Sequence, residues 1–95
     1  MTEKMYLCCC GATGRAVILG RSPTEPIAGQ PIRLTDARQV LYWGGSSGLL
    51  GLAANGPGEG SRITAAVASH GDECVRQWVE VSDAAAVRVD SWPAC

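Results

Sequence analysis

Pro31-Ile32-Arg33-Leu34-Thr35-Asp36-Ala37-Arg38-Gln39-Val40-Leu41-Tyr42-Trp43-Gly44-Gly45 is the stretch that decides the fold. Apolar and polar residues alternate from Pro31 to Thr35, the period of a strand with one face buried and one face wet. Asp36-Ala37 interrupts the alternation and marks a bend or bulge. Residues 38–43 resume the strand and end on Tyr42-Trp43. Gly44-Gly45-Ser46-Ser47 then turns the chain, and Ser46 or Ser47 is placed to cap a short helix over 48–55, with Leu49, Leu50, Leu52 and Ala53 as its apolar face. Asn55-Gly56 followed by Pro57 is a helix stop.

Working outward, residues 5–10 read as a strand, Gly11-Ala12-Thr13-Gly14 as a hairpin turn, and residues 15–20 as a returning strand buried on both faces. Pro23, Pro26 and Gly29 make 21–30 a loop, and 57–61 is a glycine-rich loop. Residues 62–68 form another strand and Ser69-His70-Gly71-Asp72 a turn. In the strand 74–81, Val75, Val79 and Val81 share one face and Arg76, Trp78 and Glu80 the other. Ser82-Asp83 opens a second helix that runs to about residue 89, with the acid at its positive end. The expected fold is α+β: a small curved antiparallel β-sheet or partial β-barrel with two short helices, in a single domain, 1–95.

Composition narrows the function classes. Eight basic residues stand against nine acidic ones in 95 residues, with no basic run, so bulk nucleic-acid binding is disfavoured. A folded face could still cluster Arg33, Arg38 and Arg62. The five cysteines, Cys8, Cys9, Cys10, Cys74 and Cys95, are odd in number and three are consecutive. Adjacent strand residues point to opposite faces, so reduced thiols in a cytosol are the simpler reading. The apolar stretch near the N-terminus is about six residues, shorter than the roughly 7–15 of a signal-peptide core. No stretch approaches the roughly 20 apolar residues of a membrane span. The chain reads as cytoplasmic, in a bacterial host.

The segment from Leu34 to Gly45 resembles a family of small uncharacterised proteins of tailed phages and prophages. Its pattern is L-x-x-A-R-x-x-x-Y-W, a small-residue turn, L-x-x-L-A-x-x-G, and an arginine opening the next strand. The matching positions are Gly20, Leu34, Ala37, Arg38, Tyr42, Trp43, Leu49, Leu52, Ala53, Gly56 and Arg62, within residues 16–68. The resemblance implies a phage or prophage origin and no particular reaction.

The candidate sites differ in their chemistry. Gly44-Gly45-Ser46-Ser47-Gly48 spells G-x-S-x-G between a strand and a helix, but the hydrolase fold needs a far larger sheet, and only His70 is left as the base. The chain is therefore read as a non-enzyme. Cys8, Cys10, His70 and Cys74 lack the paired spacing of a zinc site, so no metal or cofactor is expected. A sharper reading joins the turn's backbone N–H groups and Ser46 and Ser47 to Arg38 and Arg62 as a phosphate site, with Tyr42 and Trp43 stacking on a base. The competing reading pairs both arginines with acids and packs the aromatics in the core or at a subunit contact.

The expectation that follows is a non-enzymatic binding protein in the host cytoplasm. It forms a homo-oligomer and captures a small anionic, nucleotide-like defence signal or a host protein. The alternative is a minor virion or assembly protein that contacts other virion proteins.

Overall fold

The computed structural model describes residues 3–11, 16–44, 48–72 and 74–94. Its strands are β1 (Lys4–Cys10), β2 (Ala16–Ser22), β3 (Ile32–Tyr42), β4 (Arg62–Ile63), β5 (Val67–Asp72) and β6 (Val75–Glu80). Helix α1 (Gly48–Asn55) follows β3, and α2 (Asp83–Ser91) follows β6. The sheet is antiparallel in the order β4-β3-β2-β1-β6, with β5 also paired to β3. It is a curved sheet that does not close into a barrel.

β1 and β2 are buried on both faces, as their apolar runs require. Met5, Leu7 and Cys9 pack with Val17, Leu19 and Val40 against Leu52 and Ala53 of α1 and Ala85 and Val89 of α2. Tyr6, Cys8 and Cys10 face the other way and cluster with Ile18, Leu34, Ala37 and Val75. Leu34 lies on β3 and Val75 on β6, with β2 and β1 between them in the sheet. A flat sheet would hold those strands roughly 14 Å apart at about 4.8 Å per step, and the cluster runs across all four strands of the curled sheet. The topology requires the same curl. β5 lies at one edge and β6 at the other, yet β5 ends at Asp72 and β6 begins at Val75. The loop after β2 ties down this end: Gly29 donates to the Val75 carbonyl at 2.7 Å and Val75 donates to Gln30 at 3.2 Å.

β3 is one strand with a bulge. Its pairing with β2 slips between Leu19↔Arg38 and Arg21↔Thr35, and Asp36 sits at φ +50°, the left-handed conformation that aspartate tolerates better than most residues. Gly20 belongs to this device, because a Cβ there would stand 2.6 Å from the Cβ of Leu34.

Three expectations are corrected. Ser69-His70-Gly71-Asp72 is strand, not turn: it continues β5 along the N-terminal half of β3, from Thr35↔Ser69 to Ile32↔Asp72, and the expected strand 62–68 breaks at residues 64–66 instead. Val75 lies on the Trp78 face, because the register shift opposite Cys9/Cys10 changes its parity relative to Val79 and Val81. Leu50, expected on the apolar face of α1, is 65 % exposed, since only Leu52 and Ala53 reach full burial there. The hairpin turn over Ala12-Thr13-Gly14 and the capping Ser46 or Ser47 lie outside the described residues.

α2 begins as expected. The Ser82 hydroxyl accepts from Ala85 N–H at 3.1 Å, and Asp83 occupies the first turn. The same hydroxyl donates to the Ala54 carbonyl at 2.7 Å and joins the two helices. Gly56, at φ +87°, closes α1 with its N–H donating to Leu52 at 2.8 Å. Among the described residues no helix is long and apolar enough to cross a membrane.

Candidate functional site at the end of strand β3

Arg38 and Arg62 part company in the structure. Arg38 pairs with Leu19 on the face that carries the helices, and it is only 6 % exposed. Its Nε donates to the Thr64 carbonyl at 2.7 Å, Nη1 to the Val89 carbonyl, and Nη2 to the Trp92 carbonyl at 2.8 Å. The acids expected as partners are replaced by the C-terminal carbonyls of α2, where the helix dipole favours a cation. Arg62 is exposed and stands opposite Tyr42 in the β3–β4 pairing.

Tyr42 is 59 % exposed and Trp43 38 %, so neither serves the core. Leu41 beside them is exposed too. The end of β3 thus presents Leu41, Tyr42 and Trp43 in succession, with Arg62 across the ladder. Ser46 and Ser47 lie outside the described residues.

A chain of hydrogen bonds fixes the base of this surface. The Ser61 hydroxyl donates to the Gly44 carbonyl at 3.1 Å, Trp92 Nε1 donates to the Ser61 carbonyl at 3.1 Å, and Arg38 holds the Trp92 carbonyl. Arg38 is linked to this surface through Trp92 and Ser61. In the same way the resembling pattern divides by role: Gly20, Leu34, Ala37, Arg38, Leu52, Ala53 and Gly56 build the fold, while Tyr42, Trp43 and Arg62 face outward.

Among the described residues, hollows lie elsewhere on the surface. A groove of about 470 Å³ runs beside the end of α2, where Arg21, Asp36, Arg38, Asp90 and Trp92 meet two alanines of the 64–66 break. Arg21 makes a two-pronged contact with Asp90 in it, at 3.0 and 2.7 Å, and that bond raises the arginine's pKa above its ordinary value. A second hollow, about 510 Å³, lies against the loop after β2, between Pro23, Pro26, Ile27, Pro31 and Ile32 with Glu3, Glu25 and Arg33 at its rim. In the sequence this loop reads as a connection. Its spaced prolines were the available signal, since they stiffen a loop enough to hold a concave shape.

The thiols are placed by the sheet. Cys8, Cys9 and Cys10 are buried and alternate between the two clusters, and burial pushes the Cys9 thiol above its ordinary pKa. His70 lies on β5 opposite Leu34, on a different strand from Cys8 and Cys10. Among the described residues no His, Cys, Asp and Glu side chains gather as a group able to hold a metal ion.

A family model described as a domain of unknown function (DUF6948) matches residues 7–92. No curated protein and no solved structure matches the chain.

Proposed function

The chain belongs to the DUF6948 family, and we propose that it is a small non-enzymatic binding protein of phage or prophage origin that acts in the host cytoplasm. It captures a factor of antiviral defence, either a nucleotide-like anionic signal or a host protein. One observation carries the reading: Tyr42 and Trp43 project from the end of β3 with Arg62 beside them, on a base held by Ser61, Trp92 and Arg38. Exposed aromatics next to a guanidinium suit a planar anionic ligand, which stacks on the rings and pairs with the arginine, and they equally suit a protein hot spot.

Native mass spectrometry on protein purified gently from expressing host cells tests the reading. Wild-type protein is expected to carry an added mass, a small ligand or a protein partner, and the added mass is lost in Tyr42→Ala/Trp43→Ala and in Arg62→Ala. The same bare species in all three sinks the proposal.

The succession of three exposed residues, Leu41, Tyr42 and Trp43, also favours a second reading, a minor virion or assembly protein anchored by those side chains. Mass spectrometry of purified particles separates the two, because a sequestering protein is absent from virions.

A further inference from the structure

β6 is the last strand on its side of the sheet, and among the described residues its outer edge is open over one defined window. The hydrogen bonds show which groups face outward. Val81 donates inward, to the Met5 carbonyl of β1, at 3.0 Å. By alternation Gln77 and Val79 also point their main-chain groups toward β1, and Trp78 and Glu80 point theirs away from it; Arg76 falls in the register shift between Cys9↔Gln77 and Cys10↔Val75 and takes part through its exposed side chain. Both ends of that outward row are occupied. Ser82 N–H donates to the Ala53 carbonyl at 2.9 Å, and Val75 exchanges bonds with Gly29 and Gln30. Between these stops lie Arg76 to Glu80, with Arg76, Gln77 and Glu80 exposed and Trp78 half-buried.

An open strand edge is a template for another strand, and the side chains here select which one. We infer that β6 pairs antiparallel with β6 of a second copy of this chain, about a two-fold axis through Trp78. In that register Arg76 faces Glu80 of the other copy, Glu80 faces its Arg76, and the two Trp78 residues meet on the axis. The two Trp78 residues exchange both main-chain bonds on the axis, and the Arg76–Glu80 pairs flank them as side-chain contacts. Other registers lose this match: centring on Arg76 sets arginine against arginine, and centring on Glu80 sets glutamate against glutamate. Opposite charges and aromatic pairs directly across a ladder are favourable, while like charges are not. The contact is self-complementary, as a closed two-fold dimer requires.

The partners of these groups fit the pairing. Trp78 is already oriented by Tyr6, edge to face with ring centroids 5.7 Å apart, so little side-chain freedom remains to be lost. Lys4 reaches Glu80 at 3.7 Å within one copy and adds a second cation around the acid. The other sheet edge lacks this code: β5 runs Val-Ala-Ser-His-Gly-Asp and begins after the break at 64–66. The inferred surface is distinct from the Tyr42–Trp43 end, so either assignment can fail without the other.

Size-exclusion chromatography with light scattering on wild type, Arg76→Glu and Glu80→Arg tests it. Wild type is expected at twice the chain mass. Each single variant sets like charges opposite one another and shifts the equilibrium about tenfold or more toward monomer. An equimolar mixture of the two variants restores the dimer, because the negative edge of one then meets the positive edge of the other. Recovery on mixing also rules out misfolding as the cause of dissociation. A monomeric wild type, an assembly that survives both single variants, or a mixture that stays monomeric each overturns the inference.

Discussion

The guanidinium of Arg38 holds the carbonyl of Trp92, 54 positions along the chain, at 2.8 Å. With the bonds to Thr64 and Val89, this single side chain joins β3, the 64–66 break and the end of α2. Arg38→Ala leaves carbonyls without their donor and opens a cavity beneath α2. Urea denaturation is expected to show a loss of roughly 3 kcal/mol, in the range for hydrogen bonds to a charged group. Arg38→Lys is expected to recover little, because one ammonium cannot reproduce the planar fork. A loss under about 1 kcal/mol in the alanine variant would show that the three bonds are not what holds α2 in place.

The bulge in β3 rests on Gly20 and Asp36. Gly20→Ala drives a methyl group into Leu34 and is expected to destabilise by about 2 kcal/mol, a typical overpacking effect. At Asp36 the backbone decides the outcome. Asp36→Gly should be close to neutral, and Asp36→Val should be less stable than Asp36→Gly by about 1–2 kcal/mol, the strain of a left-handed residue with a branched side chain. Equal midpoints for the glycine and valine variants would contradict the positive φ.

Burial of the Cys9 thiol predicts a pH dependence. Its pKa in the folded protein lies above the unfolded value, so the stabilising contribution is complete below the unfolded pKa. It is lost as pH rises toward the folded pKa, because the unfolded chain releases the proton first. Thermal midpoints should therefore fall as pH is raised through the alkaline range where a free thiol ionises. Cys9→Ala should show a shallower fall than wild type, whatever its stability at neutral pH; parallel curves would exclude the assignment.

The Arg21–Asp90 contact is well formed but wet, with side-chain exposures of 26 and 51 %. Its contribution is expected to be under about 1 kcal/mol and to shrink in high salt. A double-mutant cycle with Arg21→Met and Asp90→Asn, run at low and at molar salt, measures it.

Much of this architecture is legible in the sequence where a local rule and the global fold agree. Asp36-Ala37 breaks an alternating pattern and is the bulge, and Ser82-Asp83 caps α2 as its chemistry demands. Legibility ends where parity or pairing is set from far away. Ser-His-Gly-Asp has turn chemistry, yet the free edge of β3 recruits it as strand, since strand formation depends on the neighbour more than on the residue. Val75 changes face because of a shift in register opposite Cys10 that no periodicity in 74–81 announces. Arg38 shows why the candidate site was only partly visible. Charge and spacing mark it as a ligand contact, but register opposite Leu19 aims it beneath a helix that begins 45 residues later. Tyr42, Trp43 and Arg62 carry no such constraint and remain where their side chains can meet a partner.

The position of β1 sets an order of events during synthesis. It is made before the five strands that follow it, and it gains β2 as a neighbour almost at once, yet its other neighbour, β6, is not complete until residue 80. Throughout that interval the nascent chain carries an apolar strand, Met5 to Cys10, with one edge unpaired. Such an edge is prone to pair with a neighbouring chain. Shortened products that end before Val75 lack the strand that covers this edge and keep it unpaired.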